Sequence, residues 1–296
     1  MIKDKIQIIK KYKKAYKNYF IVLLKIYFIR KNSQKDNIMI KVKLKDGKKM
    51  NIPYKWEWRF LELNNYVNKN ISNVSLTEDG ILFYYKGHPV IIGPLDTGDL
   101  KGVFFKEDYD FLQVKDKDVI DVGMNIGDSS IYFALKGAKR IIGLEPYPYA
   151  FSYAEKNIKL NKLNNIILLN AGYGKDDKIL VDDKKISSIG SSLISSNSGK
   201  TIPIYSLKTL LKMYKINNAI VKMDCEGCEY ALLEEDDETL KNIDMIQIEY
   251  HYGYSELVEK LKKVGFYVEY TDPIYSYNKD AKNPNMLIGY IYAKRI

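Results

Sequence analysis

The segment VIDVGMNIGDSS, residues 119–130, sets the reading of the whole chain. Val119, Ile120 and Val122 are β-branched and surround a single acid, Asp121; Gly123 and Gly127 follow four residues apart, and Asp128-Ser129-Ser130 opens an apolar helical stretch. The pattern is a strand, a tight turn and a helix start. Glycines at such a turn let the backbone approach a ligand with no Cβ in the way. Asp121 at the strand end repels a pyrophosphate, so a dinucleotide or nucleoside triphosphate is disfavoured and a cationic or zwitterionic ligand favoured. A glycine pair alone also fits a plain structural turn.

Outward from this segment the chain alternates strands and helices, the signature of a mostly parallel sheet covered on both faces. Strands are expected at 119–123, 140–145, 165–170, 219–224 and 245–250, and helices at 127–137, 147–162, 206–215, 227–240 and 254–264. Ligands in such sheets bind beyond the carboxyl ends of the strands, and each of these strands ends in a polar or acidic residue or in glycine. The second ends at Glu145-Pro146, some 22 residues beyond Gly123, where one carboxylate can accept from both hydroxyls of a ribose. Glu145 also fits a helix-start acid.

Four segments in order, DVGMNIGDSS, GLEPYPYAFSYAEKNIKLN, VKMDCEGCEYALL and IEYHYG, resemble the FkbM family of class I S-adenosylmethionine-dependent methyltransferases, over about two-thirds of the chain from Lys101 onward. The resemblance implies an α/β, Rossmann-like fold: a seven-stranded, mostly parallel sheet with helices on both faces, its last two strands an antiparallel pair, supplied here by 265–270 and 286–293. It implies S-adenosyl-L-methionine as cofactor, with Asp121 and the turn Gly123, Asn125, Gly127 and Asp128 at the methionine part and Glu145 and Pro146 at the ribose. Tyr147 would pack on the adenine, and Asn170 and Ala171 would edge it, although Asn170 equally fits a strand cap.

The segment KMDCEGCEY places Asp224 at the end of a strand, with Glu226 next and Gly227 opening a helix. Methyl transfer is an in-line displacement, for which the protein aligns an acceptor about 3 Å away and accepts a proton. A carboxylate there suits an alcohol, and the Asn/Asp-Pro-Pro-aromatic run that serves exocyclic amines does not occur. His251, following Glu249 at the next strand end, is the second candidate base. The other histidine, His88, reads as a solvated turn residue.

Cys225 and Cys228 are the only cysteines. No second ligand pair accompanies them, so a zinc site is not expected; the reading is buried small residues, with a disulfide as the alternative. The insertion 172–205, rich in Ser and Gly, reads as a loop or hairpin over the pocket, with Ser191 and Ser192 as candidate acceptor contacts.

The chain has 296 residues, 46% hydrophobic and 28% charged, which excludes disordered, fibrous and disulfide-scaffold classes. Its charge of +10 is uneven: residues 1–50 hold 16 Lys/Arg against 3 Asp, and the other 246 residues are net −3. An acidic body argues against a nucleic-acid substrate. Residues 5–31 read as one amphipathic helix that becomes apolar almost all round over YFIVLLKIYFI (19–29), packed on the body or a second copy, lying on anionic lipid, or serving as a nucleic-acid arm.

The expected organisation is a basic helical arm (1–36), a small α+β region (37–110) and a Rossmann-like methyltransferase domain (111–296). The expected activity is methylation of a hydroxyl on a sugar, glycan or lipid-linked glycan. An RNA methyltransferase and a non-catalytic binding protein are the alternatives. A cytoplasmic location, peripheral to the inner face of the membrane, and a homodimer complete the expectations.

Overall fold

The computed structural model describes residues 2–31, 38–66, 69–95, 97–182, 196–277 and 283–295. The chain divides into two compact units, Met1–Lys106 and Glu107–Ile296.

In the first unit the basic arm is two helices rather than one, α1 (Ile2–Ala15) and α2 (Tyr19–Ile29). The break has a local cause: Tyr16 bridges to Leu44 and the Lys17 N–H donates to the Lys43 carbonyl, so a strand edge captures the backbone that would continue the helix. A hairpin of β1 (Met39–Lys43) and β2 (Lys49–Pro53) leads into α3 (Tyr54–Asn65). β3 (Ile71–Leu76), β4 (Ile81–Tyr85) and β5 (His88–Ile92) then form an antiparallel sheet, with His88 exposed at its edge. β3 escapes the sequence pattern because its register shifts between Ser72 and Ser75, which breaks the two-residue alternation.

The arm is part of this unit's core. Tyr12, Ala15, Tyr16, Val22, Ile26 and Ile29 are buried, and the Tyr12 hydroxyl donates to Glu57 Oε2 at 2.7 Å. Burial pushes the Glu57 carboxyl up to about 7. The other side of α2 stays in solvent: Phe20, Ile21, Leu24, Tyr27 and Phe28 are all exposed.

The second unit opens with β6 (Asp118–Val122), α4 (Asp128–Leu135), β7 (Arg140–Leu144), α5 (Pro148–Leu160) and β8 (Ile166–Leu169). A side sheet follows, formed by β9 (Gly172–Tyr173), β10 (Asp177–Val181) and β11 (Lys200–Tyr205); Ser191 and Ser192 lie outside the described residues. Next come α6 (Leu207–Tyr214), β12 (Ala219–Met223), a 3-10 turn (Cys228–Glu234), α7 (Asp237–Lys241), β13 (Ile243–Tyr250) and α8 (Ser255–Lys263). The described residues end with β14 (Phe266–Tyr270), β15 (Ile274–Tyr277) and β16 (Asn285–Arg295).

The main sheet runs β14-β16-β13-β12-β6-β7-β8, parallel from β13 to β8, with β16 antiparallel to both β13 and β14 and β15 added along β16. This is a Rossmann-like α/β fold with a reversed final pair. All five residues of β12 are buried because both sheet faces are covered, which is why the inner strands read as apolar runs. The helix expected over 227–240 is instead a 3-10 turn followed by α7. Glu235 leaves the first element in an extended conformation, and Asp236 caps the second, accepting from the Thr239 N–H at 2.7 Å.

Candidate functional site

The turn after β6 is shaped by three left-handed residues, Gly123 (φ +76°), Asn125 (φ +49°) and Gly127 (φ +83°). A Cβ at Gly123 would run into the Asp224 carbonyl, so the glycine is required by the neighbouring strand end, a reason the sequence reading did not contain. At Gly127 a Cβ would press on Ala154 Cβ at 3.3 Å, so this glycine seats α4 against α5. The Asn125 N–H donates to Glu145 Oε2 at 3.0 Å, and Asp128 Oδ1 accepts from the Ser129 N–H at 3.1 Å.

Asp121 does not present a free carboxylate to a ligand, as the sequence suggested. It is fully buried; its Oδ2 accepts from Ser129 Oγ (2.6 Å) and Ser130 Oγ (2.7 Å), and its Oδ1 lies 3.2 Å from Lys222 Nζ. Lys222 also donates to the Gly123 carbonyl at 2.7 Å and lies over the Tyr109 ring. Burial alone would lower this ammonium, but the Asp121 and Asp224 charges outweigh it and the net shift is upward. The pair is a buried brace between β6 and β12. A lysine in the apolar strand AIVKM was the one sequence signal for it.

Glu145 closes β7 with both oxygens anchored, Oε2 by the Asn125 N–H and Oε1 by the Tyr147 N–H at 2.8 Å. Each oxygen keeps a second lone pair, a donor-seeking set that matches a vicinal diol. Burial pushes Glu145 up to about 7, against the pull of those two N–H groups. Asn170 Nδ2 donates to the Glu145 and Pro146 carbonyls at 2.9 and 3.0 Å, and its Oδ1 accepts from Lys200. Its amide thus holds the acidic loop in place rather than edging a base. Tyr147 and Ala171 are buried beside it.

The ends of β12 and β13 bring the remaining candidates together. Asp224 Oδ2 accepts from the Tyr109 hydroxyl at 3.2 Å. The His251 ring, 2% exposed, lies between Glu226 Oε2 at 3.2 Å from Nε2 and Glu229 Oε1 at 2.9 Å from Nδ1. Glu229, which the sequence reading did not single out, is fully buried and accepts from the N–H groups of Gly227 and His251, each at 2.9 Å. Burial alone would lower the imidazole, but the hydrogen bonds and charges of Glu226 and Glu229 push it up to about 12. The two carboxylates thus favour the protonated imidazole, whereas the sequence reading took His251 as a near-neutral base. Glu249 is pushed up to about 8 by burial and then by Asp224.

Cys225 and Cys228 form a disulfide, so the reading of buried small residues is corrected. Glu226 (φ +60°) and Gly227 (φ +118°) are both left-handed and turn the chain back, bringing the cysteine Cα atoms to 5.4 Å, within disulfide reach. The bond closes a ring around the catalytic candidate Glu226.

A protein of Methanocaldococcus jannaschii, provisionally named as a protein N5-glutamine methyltransferase, is 47% identical over 53 residues, 18% of this chain and 27% of its own length. The curated relative is thus matched over about a quarter of its sequence. Among solved structures, an rRNA methylase from Streptococcus thermophilus is 14% identical, covering 64% of this chain and 95% of its own, with a TM-score of 0.39. M. jannaschii TYW2 in complex with AdoMet is 16% identical, covering 78% and 89%, also with a TM-score of 0.39. The model of the methyltransferase FkbM domain matches residues 121–269, from inside β6 to the end of β14 and half of the chain, and the chain belongs to this family of S-adenosylmethionine-dependent methyltransferases.

Proposed function

We propose that the protein methylates a hydroxyl oxygen, with a sugar, glycan or lipid-linked glycan as the acceptor class. The observation that supports this most is the acid cluster at the ends of β12 and β13, where an alcohol finds acceptors for its proton and no amide or proline motif shaped for an amine. S-adenosylmethionine supplies a methyl group on a sulfonium sulfur, whose C–S bonding pair stays with sulfur as the methyl leaves. Glu145 would hold the ribose diol. Asp224, oriented by Tyr109, would take the hydroxyl proton as the acceptor oxygen forms its new C–O bond. His251, 3.2 Å from Glu226 through Nε2, would order that carboxylate.

Calorimetric titration with S-adenosylmethionine tests the cofactor half: micromolar binding is expected in the wild type, weakened at least about tenfold in Glu145→Ala. An acceptor screen with radiolabelled methyl then sets glycans against RNA. Label on RNA alone would overturn the acceptor class, and a folded protein that binds no cofactor would favour a binding protein that keeps the fold.

For the arm, we infer contact with an anionic membrane surface. No helix among the described residues is long and apolar enough to cross a membrane. The exposed side of α2 carries Phe20, Ile21, Leu24, Tyr27 and Phe28; Lys10, Lys13 and Lys14 are exposed on α1, Lys17 in the break between the helices, and Arg30 and Lys31 just past the end of α2. Apolar side chains beside many cations suit acidic lipid, whereas two copies meeting through this face would bring like charges together. Because the arm supplies core residues, point changes are the proper test. Phe20→Ser with Phe28→Ser should lower binding to phosphatidylserine vesicles by roughly tenfold or more. Equal binding by wild type and variant would refute the contact.

A further inference from the structure

We propose that Asp224, Glu226 and His251 form a binding site for one divalent transition-metal ion, of the Mn2+ class, at the acceptor end of the crevice. The proposal deepens the methyltransferase reading and rests on it only for the role of the ion, not for its binding. One potential ligand atom from each of the three side chains lies within 4.8 Å of the others. Bonds of about 2.1 Å at right angles put neighbouring ligands about 3 Å apart, a gap that small side-chain rotations close.

Three further features favour an ion over a chance grouping. First, the imidazole is aimed. Glu229 engages Nδ1 and is itself fixed by two backbone N–H groups, which leaves Nε2 facing Glu226 and the crevice. A buried carboxylate on the far nitrogen of a ligating histidine is the usual outer support of a metal site. Second, the ligands sit on rigid backbone. Asp224 and His251 immediately follow the paired strands β12 and β13, and Glu226 lies inside the ring closed by the Cys225–Cys228 disulfide. Third, the set is open on one side. His251 is buried while the Glu226 side chain is 26% exposed, so coordination positions remain for water or an acceptor oxygen.

One imidazole and two carboxylates suit Mn2+ or Fe2+ better than the thiolate-rich sets of structural zinc, and the two cysteines are bonded to each other and are not ligands. The charge balance points the same way. Asp224, Glu226 and Glu229 lie with Glu249 around one histidine, and the nearby Lys222 is shared between Asp121 and Asp224. An ion between Glu226 and Nε2 would supply the positive charge that a proton on Nε2 otherwise provides. It would bind the acceptor oxygen and hold it for attack.

Electron paramagnetic resonance of free Mn2+ tests the site on full-length protein stripped with chelator. Titration should remove about one equivalent of the hexaaqua signal, with a Kd below roughly 100 μM. Glu226→Gln and His251→Gln should each weaken binding at least tenfold, and Glu229→Gln by about 10–100-fold through loss of the outer support. Calorimetry with S-adenosylmethionine on the same variants should give the wild-type affinity, which shows that they fold. Wild-type protein that leaves the Mn2+ signal unchanged up to about 1 mM overturns the proposal, as does equal affinity in wild type and all three variants. Mn2+ binding without cofactor binding would instead keep the metal site and remove the methyltransferase reading.

Discussion

At the carboxyl ends of β6 and β7 every acid has partners of its own: Asp121 has two serines and Lys222, and Glu145 has two backbone N–H groups. At the ends of β12 and β13 the acids converge on one another, with His251 held by two of them and Glu249 raised by a third. The first arrangement fixes a shape. The second stores negative charge that a proton, a metal ion or a polar acceptor can relieve. On the function proposed here the crevice would divide its work by how completely each acid is satisfied, with the cofactor on the settled side and the chemistry on the unsettled one.

This contrast can be broken one side at a time. The largest effect is expected on the unsettled side. Asp224→Asn should lower the methyl-transfer rate about 10²–10⁴-fold while the calorimetric affinity for S-adenosylmethionine stays at its wild-type value. A parallel loss of cofactor affinity would mean that the two sides are not separate.

On the settled side Lys222→Met leaves Asp121 buried without its cation and should cost about 3–5 kcal/mol in urea unfolding. Adding Asp121→Asn should recover a large part of that loss. A double variant no better than the single would show that Lys222 acts through packing rather than charge.

A smaller effect sharpens the comparison through pH. The folded-state Glu145 carboxyl is raised from 4.5 to about 7. Its contribution to stability is therefore fully present below pH about 4.5 and is lost as pH rises through about 7. In thermal melts from pH 5 to 8, Glu145→Gln should lose less stability than the wild type, by a few degrees at about 2–4 °C per kcal/mol. Parallel curves would show that Glu145 is not the group that titrates.

What could be read in the sequence was whatever is local. The turn 123–128, the alternation of strands and helices, Glu145 at a strand end and the motif around Asp224 are each contiguous, so their spacing carries their meaning. What could not be read depends on partners far along the chain. Lys222 meets Asp121 across 101 positions, His251 meets Glu229 across 22, and Tyr16 meets Leu44 across 28, with all of α2 and β1 between them. The glycine at 123 was found but its reason was not, because the atom it avoids belongs to another strand. The disulfide was undervalued because only the two left-handed residues between the cysteines turn them toward each other.

The place of β16 bears on how the molecule is made. It follows β14 in sequence but lies between β14 and β13, forming an antiparallel ladder with each. During synthesis β14 has nothing to pair with until residues 285–295 have emerged, and β13 waits with a bare edge over the same interval. A chain interrupted near residue 280 would contain every residue of the site, yet it would expose an open template for strand addition by another molecule. Its fate would be set by aggregation rather than by any loss of catalytic groups.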